Sequence, residues 1–392
     1  MPLSESRRNF LLNSLKISGY VALGPSMMQM SALANGSLAS ILQSYGPLQG
    51  PDINGVRLPV GFTSRIVAVT GERVTNSDYE WHRSPDGGAC FPTSSGGWIY
   101  TSNCEEAFWG GGVGAIEFNA NGDIINARQI LRGTNVNCAG GATPWNTWLS
   151  CEEIDRGIVW ETDPYGQQDP RSRRALGAFK HEAAAVDPAN EHIYLTEDES
   201  DGCLYRFTPR NGFPDISEGD LEVAVVNDLG QVDWVLLDDP TPGFFSRRTR
   251  HQISDAKHFD GGEGIWYHEG FVYFTTKGDN RVWVLDTMTQ TLDILYDKDT
   301  SSNPILSGVD NVTVSALGDV LVAEDGGDMQ IVVLDSAGNP TPLLQIENQD
   351  ESEITGPAFN PQGNRLYFSS QRGKSRFFRQ GITYEVTGPF QG

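Results

Sequence analysis

Basic residues are scarce in this chain: 28 Lys and Arg stand against 51 Asp and Glu in 392 residues, a formal net charge of −23. A field of that sign repels nucleic acid and anionic membranes, so neither is an expected partner. It also makes an anionic substrate hard to hold unless bound cations invert the local potential. Long apolar runs are missing as well. The stretch 12–30 is broken by Lys16, Gly19, Gly24 and Pro25, which argues against a stable membrane span. The six histidines, His82, His181, His192, His251, His258 and His268, form no HExxH pair, which disfavours a zinc hydrolase of that type. Cysteine is limited to Cys90, Cys104, Cys138, Cys151 and Cys203, an odd number that leaves at least one thiol outside any disulfide. Cys90 could face Cys104 across one hairpin, with buried free thiols as the alternative.

What is present begins with an address. Ser6-Arg7-Arg8-Asn9-Phe10-Leu11, the modestly apolar stretch after it and Ala32-Leu33-Ala34 read in order as a twin-arginine export signal over residues 1–34. The expected location is therefore periplasmic or secreted, with the twin-arginine translocase as a partner during export. That route carries folded proteins, which suits a metal centre loaded before export.

The chain as a whole contains 44 Gly and 21 Pro, scattered rather than clustered, which suggests many short strands joined by turns in the remaining 35–392. One pattern recurs in residues 87–103, 140–152, 182–197, 263–276, 310–324 and 355–370. Each copy opens on small or acidic residues, crosses an apolar strand, turns, and enters a second strand that ends in a polar group. The closing positions Asn103, Glu152, Glu197, Thr276, Glu324 and Ser370 are 49, 45, 79, 48 and 46 residues apart. Four of these gaps match the period of a propeller blade, and the long one points to an insertion near 208–254. The expected fold is all-β, a six-bladed β-propeller, with the strand near 381–386 pairing with the one near 64–69 to close the ring.

Equivalent positions in all blades meet at one axis. The opening positions bring Cys138, Glu182, Glu263 and Asp310 there; the closing positions bring Glu152, Glu153, Glu197, Glu324 and Asp325. So many like charges in a partly dry mouth repel strongly unless cations or protons neutralise them. A metal centre is the economical reading, although isolated acids at loop ends often serve only solubility. The stretch NCAGGATPWNTWLSCEE, residues 137–153, is the densest part, offering a soft thiol beside hard oxygens. It could suit iron, zinc or copper through sulfur and calcium, magnesium or ferric iron through carboxylate.

That stretch, together with Lys180-His181-Glu182, Thr196-Glu197-Asp198, Gly262-Glu263-Gly264, Asp310-Asn311, Glu324-Asp325-Gly326 and ITGPAFNPQGNRLYFSSQRG, resembles the PhoX family of bacterial alkaline phosphatases. The resemblance runs from about residue 85 to 373 and includes the export signal. It implies a six-bladed propeller that hydrolyses phosphate esters at a centre of ferric iron (Fe3+) and calcium. Cys138 and Glu182 then resemble iron ligands, and Glu152, Glu153, Glu263 and Asp310 resemble carboxylates shared between iron and calcium. Glu197, Glu324 and Asp325 are further candidates at the same mouth, and Glu182 and Glu263 are the expected catalytic pair. The substrate would be a small-molecule phosphate ester, and the protein is expected to act as a monomer.

One departure concerns the substrate. Better characterised members place an arginine two residues before the glutamate matched by Glu263, where this chain has Gly261. Candidate replacements are Lys277, Arg281 and the run SRRTR at 246–250, although such residues are more often simply strand-end ion pairs or solvated loops. Glu197, Glu199, Asp201 and Gly202 fall at offsets 1, 3, 5 and 6 of a calcium loop, but Thr208 stands where a bidentate glutamate belongs. Gly110-Gly111-Gly112-Val113-Gly114 has no helix after it to help hold phosphate and reads as a blade connection. Two other functions keep the same architecture: a calcium-dependent propeller lactonase, which has no use for Cys138, and a non-catalytic ligand-binding propeller.

Overall fold

The strand Val320–Glu324 shows why one blade cannot stand alone: all five residues are buried. Leu321 and Ala323 pack with Leu366, Phe368 and Tyr384 on one side, while Val320 and Val322 pack with Val282 and Tyr296 on the other. Side chains alternate across a strand, so a strand buried at every position must be covered on both faces. A ring of blades supplies both covers. The computed structural model describes residues 45–374 and 380–390 as a six-bladed β-propeller.

From the axis outwards, blade 1 is Pro85–Pro92, Trp98–Cys104, Gly111–Phe118 and Ile124–Thr134. Blade 2 is Asn137–Ala142, Trp148–Glu152, Val159–Thr162 and Arg171–Ser172. Blade 3 is His181–Asp187, His192–Glu197, Gly202–Pro209, Gly219–Val226 and an added Val232–Leu236. Blade 4 runs Gly262–His268, Phe271–Thr276, Arg281–Asp286 and Thr291–Asp297. Blade 5 comprises Val309–Val314, Val320–Glu324, Gln330–Leu334 and Pro340–Ile346, with Val56–Arg57 on its rim. Blade 6 joins Ile354–Phe359, Arg365–Ser370 and Ile382–Thr387 to Thr63–Val69. Thr63 pairs with Thr387 and Val69 with Ile382, so the two ends of the chain share one sheet.

Each of the six seams has its own apolar cluster. The seam of blades 1 and 2 buries Phe91, Val113 and Trp148; that of blades 6 and 1 buries Trp98, Tyr100, Phe118 and Tyr367. Fully burying one such aliphatic or aromatic side chain contributes about 1.5–3 kcal/mol, so the seams stabilise the ring far more than any one sheet could by itself.

Two features place the site. Every inner strand carries a one-residue bulge directly after its first residue or two, where three residues oppose two on the neighbouring strand. Bulges re-aim side chains, and here the second residue of each strand turns to the axis. The third residues, Gly87, Ala139, Ala183, Gly264, Asn311 and Gly356, let the strands crowd together. A Cβ on Gly264 would lie 2.6 Å from the Asn311 Cα, and one on Gly87 would lie 2.5 Å from the Ala139 Cα. This pinched collar, with a cavity of only about 30 Å³ beneath it, forms the floor of the mouth.

Some expectations need adjustment. The stretch 208–254 is not simply inserted: it supplies blade 3 with its own outer strand, Gly219–Val226, plus the fifth strand and a short 3-10 turn at Thr249–His251. Polar loops flanking Gly219–Val226 hide its blade period. The Cys90–Cys104 disulfide is absent, and all five cysteines are free. Cys90 pairs with Tyr100 while Cys104 pairs with Pro85, at opposite ends of the same hairpin. The leader at 1–34 lies outside the described residues.

Candidate metal centre

The second residues of the six inner strands are Asp86, Cys138, Glu182, Glu263, Asp310 and Thr355. The residues just beyond the six second strands are Glu105, Glu153, Asp198, Lys277, Asp325 and Gln371. These two tiers, with Lys180, Glu353 and Arg372 beside them, build the mouth. Ligand atoms of Cys138, Glu153 and Glu182 lie within 4.8 Å of one another, as do those of Glu182, Glu263 and Asp310. Two further groups, Asp86 with Glu105 and Glu353, and Asp310 with Asp325 and Glu353, continue the array across the opening. The Cys138 Sγ–H points to Glu182 Oε1 at 3.2 Å. The other oxygen, Glu182 Oε2, is buried with no hydrogen-bond partner.

The electrostatics are severe. Among the described residues, nine carboxylates share the mouth with three cations, Lys180, Lys277 and Arg372, a formal excess of six negative charges. Burial, then the neighbouring Glu263 and Glu153 carboxylates, pushes Glu182 well above the usual carboxylate range. Burial and Asp310 do the same to Glu263, and burial and Asp325 to Glu353. Glu153 rises to about 8, chiefly by burial and then by Glu105, and Asp310 to about 6, chiefly by burial. Burial followed by the charge of Asp86 also raises the Cys138 thiol. The ring thus demands protons or cations. One thiol among converging carboxylates, with a buried oxygen lacking any donor, fits a bound metal.

Lys277 lies in this mouth. Its Nζ is 2.7 Å from Asp325, 3.5 Å from Asp310 and 3.6 Å from Glu263. The backbone N–H of Lys277 donates to the backbone carbonyl of Gly261 at 2.8 Å. Gly261 itself has φ +69°, and a Cβ there would press to 3.3 Å from Asp198 Oδ1, so this turn has no comfortable place for a larger residue.

Three of the expected ligands are not brought to the mouth. Glu152 accepts the N–H groups of Asn135 and Ile158, at 3.0 and 3.3 Å. Glu324 accepts those of Ser307 and Gln330, at 2.9 and 3.0 Å. Glu197 is held by Tyr205 Oη and Arg250 Nη1, both at 2.7 Å, and by the Cys203 N–H. All three end their strands and project away from the axis to fasten neighbouring loops. Strand alternation is the reason: Glu153, Asp198 and Asp325, one position later, face the mouth.

The other basic candidates are also committed elsewhere. Arg281 pairs with Asp279 and Asp297 and lies over Trp283. Within 246–250, Arg248 pairs with Asp155, and Arg250 is clasped by Glu197, Glu199 and Asp201. Offsets 1, 3 and 5 of the partial calcium loop therefore close on a guanidinium. His181 is fully buried, stacks on Phe179 at 3.6 Å and reaches the Gly177 carbonyl; burial drives its pKa down to about 3 and keeps it neutral.

Asp86, Glu105 and Glu353 belong to the mouth without having been singled out from the sequence, and Lys180, Asp198 and Arg372 lie in motifs quoted above without having been taken as site residues. Aligning the six hairpins on the residue before each bulge brings out Asp86, Glu105 and Asp198. Glu353 and Arg372 precede and follow the strand pair of blade 6 by one or two residues, and no spacing marks them.

A profile of the family described as alkaline phosphatase PhoX matches residues 100–158 and 155–291. Over residues 100–291 the chain carries the sequence pattern of the PhoX family. Within the solved structures, PhoX from Pseudomonas fluorescens in complex with vanadate, a transition-state analogue, superposes with a TM-score of 0.72 at 17% identity, covering 88% of this chain and 97% of that one. A gluconolactonase from Xanthomonas campestris gives 0.50 at 14% identity over 88% and 98%, and a Bacteroides thetaiotaomicron protein of unknown function gives 0.51 at 10% over 87% and 84%. At these identities the structural likeness speaks for the propeller fold, and the profile match for the PhoX family of phosphoric ester hydrolases. No curated protein sequence matches.

Proposed function

We propose that this PhoX-like protein is a metal-dependent phosphatase that hydrolyses small phosphate esters, with iron on the Cys138 side of the mouth and calcium among the carboxylates. The observation that carries this reading is the meeting of Cys138, Glu153, Glu263 and Asp310 at Glu182, whose Oε2 is buried with no hydrogen-bond partner. The vanadate complex of the P. fluorescens protein supports phosphoryl chemistry at a propeller of this kind.

Cys138, Glu153 and Glu182 would hold the softer-seeking ion, and Glu182, Glu263 and Asp310 the next one. Bound cations would supply charge neutralisation and Lewis acidity toward the phosphoryl group. The chain supplies the rest. Glu182 and Glu263, the proposed catalytic pair, release the protons their burial favours as metal enters, so loading is proton-linked. Lys277 stands over Glu263 and Asp310 as a donor to a phosphoryl oxygen. The Gly and Ala collar closes the floor and restricts a substrate to the open side. Asp86, Glu105 and Glu353 extend the carboxylate array for a further hard cation.

Export by the twin-arginine route, to the periplasm or beyond, belongs to the same proposal and rests on the motif at 6–11. No helix among the described residues is long and apolar enough to cross a membrane.

Elemental analysis of the purified protein, a visible thiolate-to-metal absorption, and phosphate release from an ester panel test this reading together. Cys138→Ala should abolish the absorption and lower phosphate release at least 100-fold. A Cys138→Ser protein that keeps lactone hydrolysis while no form releases phosphate would replace it with the lactonase.

A further inference from the structure

The three cations of the mouth are held very differently. Lys180 Nζ is fixed between Glu153 at 2.9 Å and Asp198 at 2.6 Å. Lys277 has one close carboxylate, Asp325, and two looser ones. Arg372 has Glu353 at 2.8 Å on Nη2, while its Nη1 reaches Asp325 only at 4.0 Å, beyond hydrogen-bond distance. Lys277 comes from blade 4 and Arg372 from blade 6, and both lean over the same Asp325 of blade 5. Their side chains are 37% and 28% exposed, above Glu263, Asp310 and Glu353 at 5–7%. The mouth is therefore tiered, with two incompletely matched cations on top of a buried acidic floor.

We propose that Lys277 and Arg372 form a two-pronged clamp for the terminal phosphoryl group and select phosphate monoesters over diesters. This deepens the phosphatase reading and rests on it. Arg372 presents Nη1 and Lys277 presents Nζ to two different phosphoryl oxygens, Asp325 serving as the placeholder that Lys277 pairs with and Arg372 Nη1 faces at 4.0 Å beforehand. A guanidinium and an ammonium bind phosphate through charge-assisted hydrogen bonds in which both partners are ionised. A monoester dianion engages both cations with full charge. A diester carries one charge, and its second organic group must occupy the space one prong claims. Neither Arg250 nor Arg281 can substitute, since each is already committed to two or three carboxylates away from the mouth.

The experiment uses the full-length protein with its metals as isolated, and inorganic phosphate as the probe. Arg372→Gln and Lys277→Gln should each weaken inorganic phosphate, as competitive inhibitor and in calorimetric titration, by about 10- to 100-fold, the worth of one charge-assisted hydrogen bond. The KM for phenyl phosphate should rise by a similar factor with a smaller change in kcat. Hydrolysis of methyl phenyl phosphate should change less than threefold. Arg372→Lys should recover part of the loss, and metal content should stay constant in all variants. Equal losses on monoester and diester, or unchanged phosphate affinity, would overturn the clamp. So would metal loss that accounts for the whole effect. A native protein that binds inorganic phosphate through these two residues but hydrolyses no ester would leave the clamp standing and remove the phosphatase.

Discussion

Replacing Arg250 by methionine isolates a part of the molecule whose logic is electrostatic. The guanidinium is 9% exposed and holds Glu197, Glu199 and Asp201 at 2.7, 3.3 and 2.9 Å. Glu199 and Asp201 are 34% and 46% exposed, so their pairs contribute little after solvent screening. Glu197 is fully buried, and stranding a buried charge costs about 3–5 kcal/mol. For a chain this long the entropy of unfolding is roughly 0.8 kcal/mol per kelvin, so Arg250→Met should lower Tm by about 5 °C. Burial, opposed by Tyr205 and Arg250, already raises the Glu197 pKa. Removing Arg250 lifts it further, so the deficit should shrink as pH falls and Glu197 takes up a proton. The vacated carboxylates sit at the first three odd offsets of a calcium loop. Millimolar calcium should therefore restore part of the lost Tm, beyond any calcium response of the native protein. Thermal denaturation at pH 8 and pH 5, with calcium or chelator, measures all of this. A fall below about 1 °C at pH 8, or a deficit indifferent to both pH and calcium, would refute the reasoning.

Stripped of metal, the protein should lose stability as pH rises from about 4, where these carboxylates titrate in the unfolded chain, to about 8. Asp310 at about 6 and Glu153 at about 8 have folded pKa values above their unfolded ones, so the folded chain binds more protons and the benefit disappears as they ionise. A chelated sample whose denaturation midpoint is flat over that window would contradict the crowding of the mouth. Gly264→Ala should destabilise by about 1–3 kcal/mol or prevent folding, because the new methyl meets the backbone of Asn311 and Val312 at 2.6 Å; Gly50→Ala, with nothing within 4 Å, should be nearly silent. Equal effects in chemical denaturation would count against the pinched collar. Thiol titration of the denatured, unreduced protein should find five free cysteines, and a count of three would reinstate a disulfide.

The hairpin repeat is legible in the sequence because each inner pair has the same grammar of small residue, apolar strand, turn and aromatic strand. Those two strands are buried on both faces and carry the strongest patterning. Outer strands such as Gly219–Val226 are partly exposed and blend into polar loops. In the mouth the limit is angular. Spacing puts Glu152 and Glu153, or Glu324 and Asp325, at one blade end, yet only the pleat and the bulge decide which of two neighbours meets the axis. Glu197 and Asp198 differ in the same way. Arg372 and Glu353 depend on how the ends of blade 6 lie over blade 5, a tertiary relation that no local pattern encodes.

The clasp in blade 6 ties Thr63–Val69 to Ile382–Thr387, so residues more than three hundred positions apart must meet before the ring is sealed. Such distant pairing is slow to form, and it stays impossible until nearly the whole polypeptide has been synthesised. A truncated copy is left with unpaired strand edges open to other chains. For a protein proposed to leave the cytoplasm already folded, that geometry acts as a completeness check, because only a finished molecule can present a shut ring to the export machinery.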